Sequence, residues 1–146
     1  MARTFVGAGC CGILNASRKT VLAYGAKRHA FGKPILSFQG LQWELADVAT
    51  DLEAARLLTY QAATALDQGE TAIMQAAHAK KFASRTALTG VSQCMQVMGA
   101  EGLRAENPFA RHLVMAKMTQ YMDGATEIQN IVISRMLLKE YGIDVG

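Results

Sequence analysis

The sequence predicts an all-α protein, an up-and-down bundle of four main helices, on three observations. Hydrophobic residues make up 51% of the 146, carried mainly by Ala, Leu, Met and Val. Only 2 prolines interrupt the chain. Apolar residues recur at spacings of three and four along most of it, and no stretch shows the period of two expected of a half-buried strand. The length suits one domain over residues 1–146, with no internal repeat or linker.

The first helix spans roughly residues 5–29, where Val6, Cys10, Ile13, Ser17, Val21 and Tyr24 fall on one face. Gly7, Gly9 and Gly12 lower its propensity and permit close approach of a neighbouring backbone. Phe31-Gly32-Lys33-Pro34 then breaks the pattern, because proline disfavours helix in the residue before it. Ser37 can cap a second helix, whose stripe runs through Phe38, Leu41, Leu45, Val48, Leu52, Ala55, Thr59, Ala62 and Leu66 to an end near Gly69. Thirty such residues make a rod of ~45 Å. A third helix runs from about Thr71 to Met98 and is closed by Gly99. The stretch 100–109, with Gly102 and Asn107-Pro108, is loop. A shorter helix covers about Ala110–Tyr121. After Asp123-Gly124 the last helix runs from Thr126 to Lys139, with Ile128, Ile131, Val132, Met136 and Leu138 as its apolar positions. The eight methionines read mostly as core gap-fillers.

Composition also excludes function classes. Charged residues are 18% of the chain, too few beside its apolar content for disorder. The longest charge-free stretches, Thr4–Ser17 and Thr86–Ala100, are broken by polar residues and Gly, so no membrane span is expected. The excess of 15 basic over 12 acidic residues is mild, and the cluster Lys27, Arg28, Lys33 is too local for a nucleic-acid surface. Cys10, Cys11 and Cys94 form neither a disulfide framework nor a zinc pattern, and His29, His78 and His112 lack ligand spacing. No metal is expected, and a reducing cytoplasm is the default compartment.

Polar groups gather in three places at helix ends. Arg28 and Phe31 are spaced to hold a phosphate and stack on a ring, or equally to complement a helix dipole and plug the core. Gln96, Gly99 and Gly102 can free backbone N–H groups for a ligand or make an ordinary helix end. Thr126 with Gln129 reads as a capping box, and Asp123 either favours that helix start or serves as a general base facing a pocket.

In order, the three segments resemble the C-terminal domain of the acyl-CoA dehydrogenase family, from Arg3 to about Leu138. Arg28, Phe31, Gly32, Lys33, Pro34 and Gln39 match the family's Arg-x-x-Phe-Gly-Lys-Pro loop and following Gln. Gln96, Gly99 and Gly102 match Gln-x-x-Gly-Gly-x-Gly, with Ala100 in place of one Gly. Asp123, Gly124, Ile128 and Gln129 match Tyr-Glu-Gly-Thr-x-x-Ile-Gln. The resemblance implies FAD-dependent oxidation of an acyl-CoA thioester to 2-enoyl-CoA. Asp123 is then the base that removes the α-proton. Arg3 and Gly124 lie at the substrate, and Thr126 and Glu127 lie where the last motif reaches FAD. Arg28, Phe31, Gln39, Gln96 and Gly99 match contacts to the FAD of a neighbouring subunit, so a homo-oligomer, dimer or tetramer, is implied, with an electron-transfer flavoprotein as acceptor. A eukaryotic member would sit in the mitochondrial matrix.

The departures have chemical content. Asp123 replaces the usual Glu and is one methylene shorter, retracting the carboxylate by ~1.5 Å, a distance that matters for proton transfer. Some relatives with cyclic acyl-CoA substrates, and nitroalkane oxidase, carry Asp there. Ala2 occupies the first-helix position where other relatives place the base. Met122, Ala125 and Glu127 replace Tyr, Thr and Gln, and Val114-Met115 replaces an Arg-Asp pair. Two other readings predict different outcomes. A nitroalkane-oxidase-like flavin oxidase would produce hydrogen peroxide, and a non-catalytic helical assembly module would bind no flavin. The family's N-terminal helical and middle β domains have no counterpart in these residues, so the chain alone is expected to have little or no dehydrogenase activity.

Overall fold

The computed structural model describes residues 1–145. Helix α1 spans Ala2–Lys27, and Arg28 ends it in extended conformation. Two short strands follow, β1 (His29–Ala30) and β2 (Lys33–Pro34), antiparallel, with His29 opposite Pro34 and Ala30 opposite Lys33. Between them Phe31 (φ +51°) and Gly32 (φ +79°) both take positive φ. That combination is what a two-residue hairpin loop needs to match strand twist. A 3₁₀ turn, Ile35–Ser37, leads into α2 (Gln39–Asp67). After α3 (Ile73–Met98) comes a second 3₁₀ turn, Gly99–Leu103. Two further helices, α4 (Phe109–Thr119) and α5 (Thr126–Glu140), complete the all-α fold.

Helix α3 packs against each of the other four, and its sequence explains why. Ala76, Ala77, Ala79, Ala83, Ala87 and Gly90 are all buried, and small side chains let several helices approach one axis closely. Val6, Cys10, Leu14 and Val21 of α1, Leu45, Val48, Leu52 and Ala55 of α2, and Phe109 and Ala116 of α4 fill the core around Val91 and Cys94 of α3. Cross-helix contacts fix the directions. Gly7 lies against Thr59 and Ala79, while Gly90 lies against Leu14, so α1 runs parallel to α3 and antiparallel to α2. Ser17 Oγ meets His112 Nδ1 at 2.8 Å and Cys10 Sγ donates to Thr119 Oγ1 at 3.3 Å, so α4 runs back along α1.

The structure corrects several local expectations. Ser37 lies in the 3₁₀ turn, and Phe38 takes the N-cap of α2 without a side-chain cap. The capping box is absent: Ala125 is the N-cap of α5, Thr126 its first residue, and Gln129 donates to carbonyls of the preceding loop. Only Gly7 of the three early α1 glycines touches a neighbour, because Cβ atoms at Gly9 and Gly12 would meet nothing within 4 Å. Phe31 is 95% exposed and plugs no core. Met98 is buried, whereas Met1, Met115, Met118 and Met122 are exposed. On α5 the buried positions are Gln129 and Ile133, while Ile128 and Ile131 face outward. Among the described residues no helix is long and apolar enough to cross a membrane.

Candidate functional site

The residues singled out from sequence fall into two groups, at opposite ends of the bundle. At the end where α1 and α3 begin, a cleft of about 370 Å³ is lined by Met1, Ala2, Arg3, Thr71, Ala72, Ile73, Ala76 and Asp123. Arg3 and Asp123 thus meet across nearly the whole sequence. Asp123 arrives there because α4 stops at Thr119, with Tyr121 and Met122 both donating to the Met118 carbonyl at 2.9 and 3.2 Å. The chain then turns through Asp123 (φ +50°) and Gly124 (φ +91°) before α5 starts. Among the described residues, neither the Asp123 nor the Gly124 N–H donates to a main-chain carbonyl. The Asp123 side chain is exposed to the cleft. Thr126 and Glu127 follow in the first turn of α5.

Backbone strain gathers here. Among the described residues three non-glycine residues have positive φ: Phe31, Ala72 and Asp123. Ala72, the N-cap of α3, and Asp123 line the same cleft. Left-handed backbone costs an L-residue with a Cβ roughly 1–2 kcal/mol, and such residues concentrate at functional sites.

At the other end, where α1 and α3 finish, Arg28, Gln96 and Gly99 line a second cleft, of about 430 Å³, with Tyr24, Ile35, Val97, Met98, Ala100 and Glu101. Gly99 (φ +59°) turns the chain out of α3. Phe31 stands at the hairpin tip, edge-on to Phe38 with centroids 6.0 Å apart, and Lys33 Nζ lies 4.4 Å from the Phe38 ring. Gln39 opens α2 nearby in sequence, exposed, and lines neither cleft. The 26 residues of α3 hold the two ends ~39 Å apart.

Sequence reasoning missed the side chain beneath the first cleft. Lys80 is fully buried and donates from Nζ to the carbonyls of Gln120 and Gly124 at 3.4 and 2.5 Å. Burial pushes its pKa below the usual lysine range, while the nearby Cys10, Asp123 and Glu127 favour its cation and Arg3 opposes it. Gln129, also fully buried, donates from Nε2 to the Gly124 carbonyl at 2.8 Å. A signal was present. Lys80 sits on the stripe shared by Ala76, Ala83 and Ala87, where a charge needs a local reason.

The chain belongs to the acyl-CoA dehydrogenase family, matching the model of its C-terminal domain over residues 1–138. It is 38% identical over 141 residues to the mitochondrial short-chain specific acyl-CoA dehydrogenase of Rattus norvegicus, covering 97% of this chain and 34% of that protein. Against the cyclohexane-1-carbonyl-CoA dehydrogenase of Geobacter metallireducens it is 39% identical over 140 residues, covering 96% and 37%. The solved butyryl-CoA dehydrogenase from Megasphaera elsdenii superposes with a TM-score of 0.91 at 38% identity, over 93% of this chain and 36% of that one. The chain therefore spans about a third of the length of these relatives.

Proposed function

We propose that this chain acts as the C-terminal helical domain of an FAD-dependent acyl-CoA dehydrogenase, with Asp123 as the base that removes the substrate α-proton. The observation that carries this reading is the shared cleft. Arg3 and Asp123, remote in sequence, line one cavity in which Asp123 is held in a strained conformation. An α-proton beside a thioester is weakly acidic, so the reaction needs a positioned carboxylate and donors for the negative charge that builds on the carbonyl oxygen. Among the described residues the Asp123 N–H donates to no main-chain carbonyl, and this reading assigns it as a donor to that oxygen. Arg3 and Gly124 border the acyl group. Asp123 is open to solvent in this chain, so its desolvation comes from substrate and from segments that pack over the cleft.

The second cleft suits a dinucleotide's anionic and aromatic parts. Arg28 supplies a guanidinium, Gly99 a backbone that approaches without a Cβ, Gln96 an amide, and Phe31 an exposed aromatic face. Gln39 at the start of α2 extends that set, and Thr126 and Glu127 supply polar groups beside Asp123. FAD held by these residues would supply the hydride acceptor for the substrate β-hydrogen. Because one chain keeps the two clefts ~39 Å apart, the sites are completed by a second copy in a dimer or tetramer. An electron-transfer flavoprotein is the acceptor this reading implies. The shortened base favours an acyl group that brings its α-carbon closer, such as a branched or cyclic one.

A hybrid enzyme tests the reading. In it, this chain replaces the last third of the Megasphaera elsdenii enzyme. The hybrid is expected to bind FAD and oxidise acyl-CoA with an artificial acceptor, and Asp123→Asn to lower kcat by about 10³-fold or more, as loss of a general base does. A hybrid whose Asp123→Asn variant keeps its rate would sink the assignment, and one that binds no flavin would sink the cofactor reading. Hydrogen peroxide release without added acceptor would identify an oxidase instead.

A further inference from the structure

The buried Lys80 is used by none of the roles assigned above. Burying an ammonium is costly, and a methionine of similar length would fill the same space among alanines. Among the described residues no carboxylate lies within ion-pair distance of it. What the ammonium supplies is directional donors. It reaches the Gln120 carbonyl at the end of α4 and the Gly124 carbonyl beyond it. From the other side, Gln129 Nε2 donates to the same Gly124 carbonyl, and to Ala125 at 3.4 Å. The Gly124 oxygen is therefore held between a cation on α3 and an amide on α5. Between the two anchored carbonyls, Gln120 and Gly124, lies the single residue whose left-handed backbone faces the cleft.

We propose that Lys80 and Gln129 are positioning residues, a two-sided clamp on the Gly124 carbonyl that holds Asp123 in its left-handed conformation and aims it into the cleft. The catalytic consequence rests on the reading of Asp123 as the base, whereas the clamp itself does not. Asp123 at φ +50° is unfavourable by itself and persists only if its surroundings over-determine it. Among the described residues the Asp123 carboxylate accepts no side-chain hydrogen bond that could do this, so the restraint comes from the next carbonyl along the chain. The cation also sits at the C-terminal end of α4, where it favours the terminal carbonyls.

The test compares Lys80→Met with Lys80→Arg, which keeps charge and donors. In the chain itself, carbon chemical shifts read the left-handed state at Asp123. Amide exchange at Ile128 and Gln129, both donating to the Ala125 carbonyl, reads the hold on the loop. Lys80→Met is expected to move the Asp123 shifts toward extended values and speed exchange at Ile128 and Gln129 at least ~10-fold relative to amides of α2. Lys80→Arg is expected to stay within about threefold of the parent. Unchanged shifts and exchange in Lys80→Met, or exchange raised equally throughout α2 and α3, overturn the clamp. If Lys80→Met does not fold, Gln129→Met, which buries no altered charge, is judged by the same two readouts. In the hybrid enzyme, Lys80→Met is expected to lower kcat about 100-fold with KM changed by less than about threefold, the signature of a misplaced group. An active hybrid that keeps its kcat in Lys80→Met also overturns the proposal. If the loop loosens but the parent hybrid oxidises no acyl-CoA, the clamp stands and the role of Asp123 falls.

Discussion

Asp123 and Gly124 share the left-handed region of backbone space, but only glycine occupies it without a Cβ penalty. Asp123→Gly is therefore expected to stabilise the folded chain by about 0.5–1 kcal/mol in urea denaturation while removing the carboxylate. Gly124→Ala is expected to cost about 1–2 kcal/mol, since its φ is +91° and its Cβ would come within 3.1 Å of Gln129 Nε2. Equal stability of both variants and the parent would show that the loop is not strained. The motif singles out Asp123, but says nothing of the left-handed conformation it takes. The sequence offers Asp-Gly as a turn signal in general, and the particular turn depends on Lys80, distant in the chain, and on Gln129. The same blindness produced the capping-box expectation. Thr126 and Gln129 have the right spacing, but the Gln129 amide is drawn to the Gly124 carbonyl, so the local rule yields to a tertiary contact.

At the scale of elements, the long helices were legible wherever the apolar stripe faces this chain's own core. On α2, Leu45, Val48, Leu52, Ala55, Thr59 and Ala62 are all buried, as their spacing predicts. On α5 the stripe misleads, because Ile128 and Ile131 point away from α3 and the buried face is carried by Gln129 and Ile133. Periodicity finds an apolar face without saying what covers it. Polar contacts between helices were also hidden. The link from Ser17 on α1 to His112 on α4, 2.8 Å long, joins residues that no spacing rule connects. Burial, with Arg111 alongside, lowers the His112 pKa below its ordinary value of 6.5. The unfolded chain therefore takes up this proton before the folded one does. Its contribution to stability is complete above about pH 6.5 and is lost as pH falls toward the lowered folded value. Urea midpoints measured from pH 8 to pH 5 are expected to fall less steeply in His112→Gln, which keeps a partner for Ser17, than in the parent. Identical slopes would mean that His112 does not couple folding to pH.

At the scale of the whole molecule, two features point outward from the chain. Large apolar side chains stand exposed on several elements: Phe5 on α1, Trp43, Leu57 and Tyr60 on α2, and Val114 and Met118 on α4. Exposed apolar side chains of this size are the natural places for a second copy or another segment to pack. The cleft with Asp123 and the cleft with Arg28 also lie at opposite ends of α3, so one copy cannot bring both to the same ligand. If each site takes its base from one subunit and its Arg28 side from another, two inactive variants must repair each other. Consider hybrid enzymes carrying either Asp123→Asn or Arg28→Glu, each inactive alone. In a mixed dimer, one site combines the intact Asp123 of the Arg28→Glu subunit with the intact Arg28 of the Asp123→Asn subunit. The other site carries both lesions. Random assembly from equal amounts makes half the dimers mixed, each with one working site of two. Co-expression is therefore expected to restore about a quarter of the parent activity, together with FAD bound at the repaired sites. If both groups served one site within a single subunit, no pairing could rebuild it, and the mixture would be as inactive as its parts.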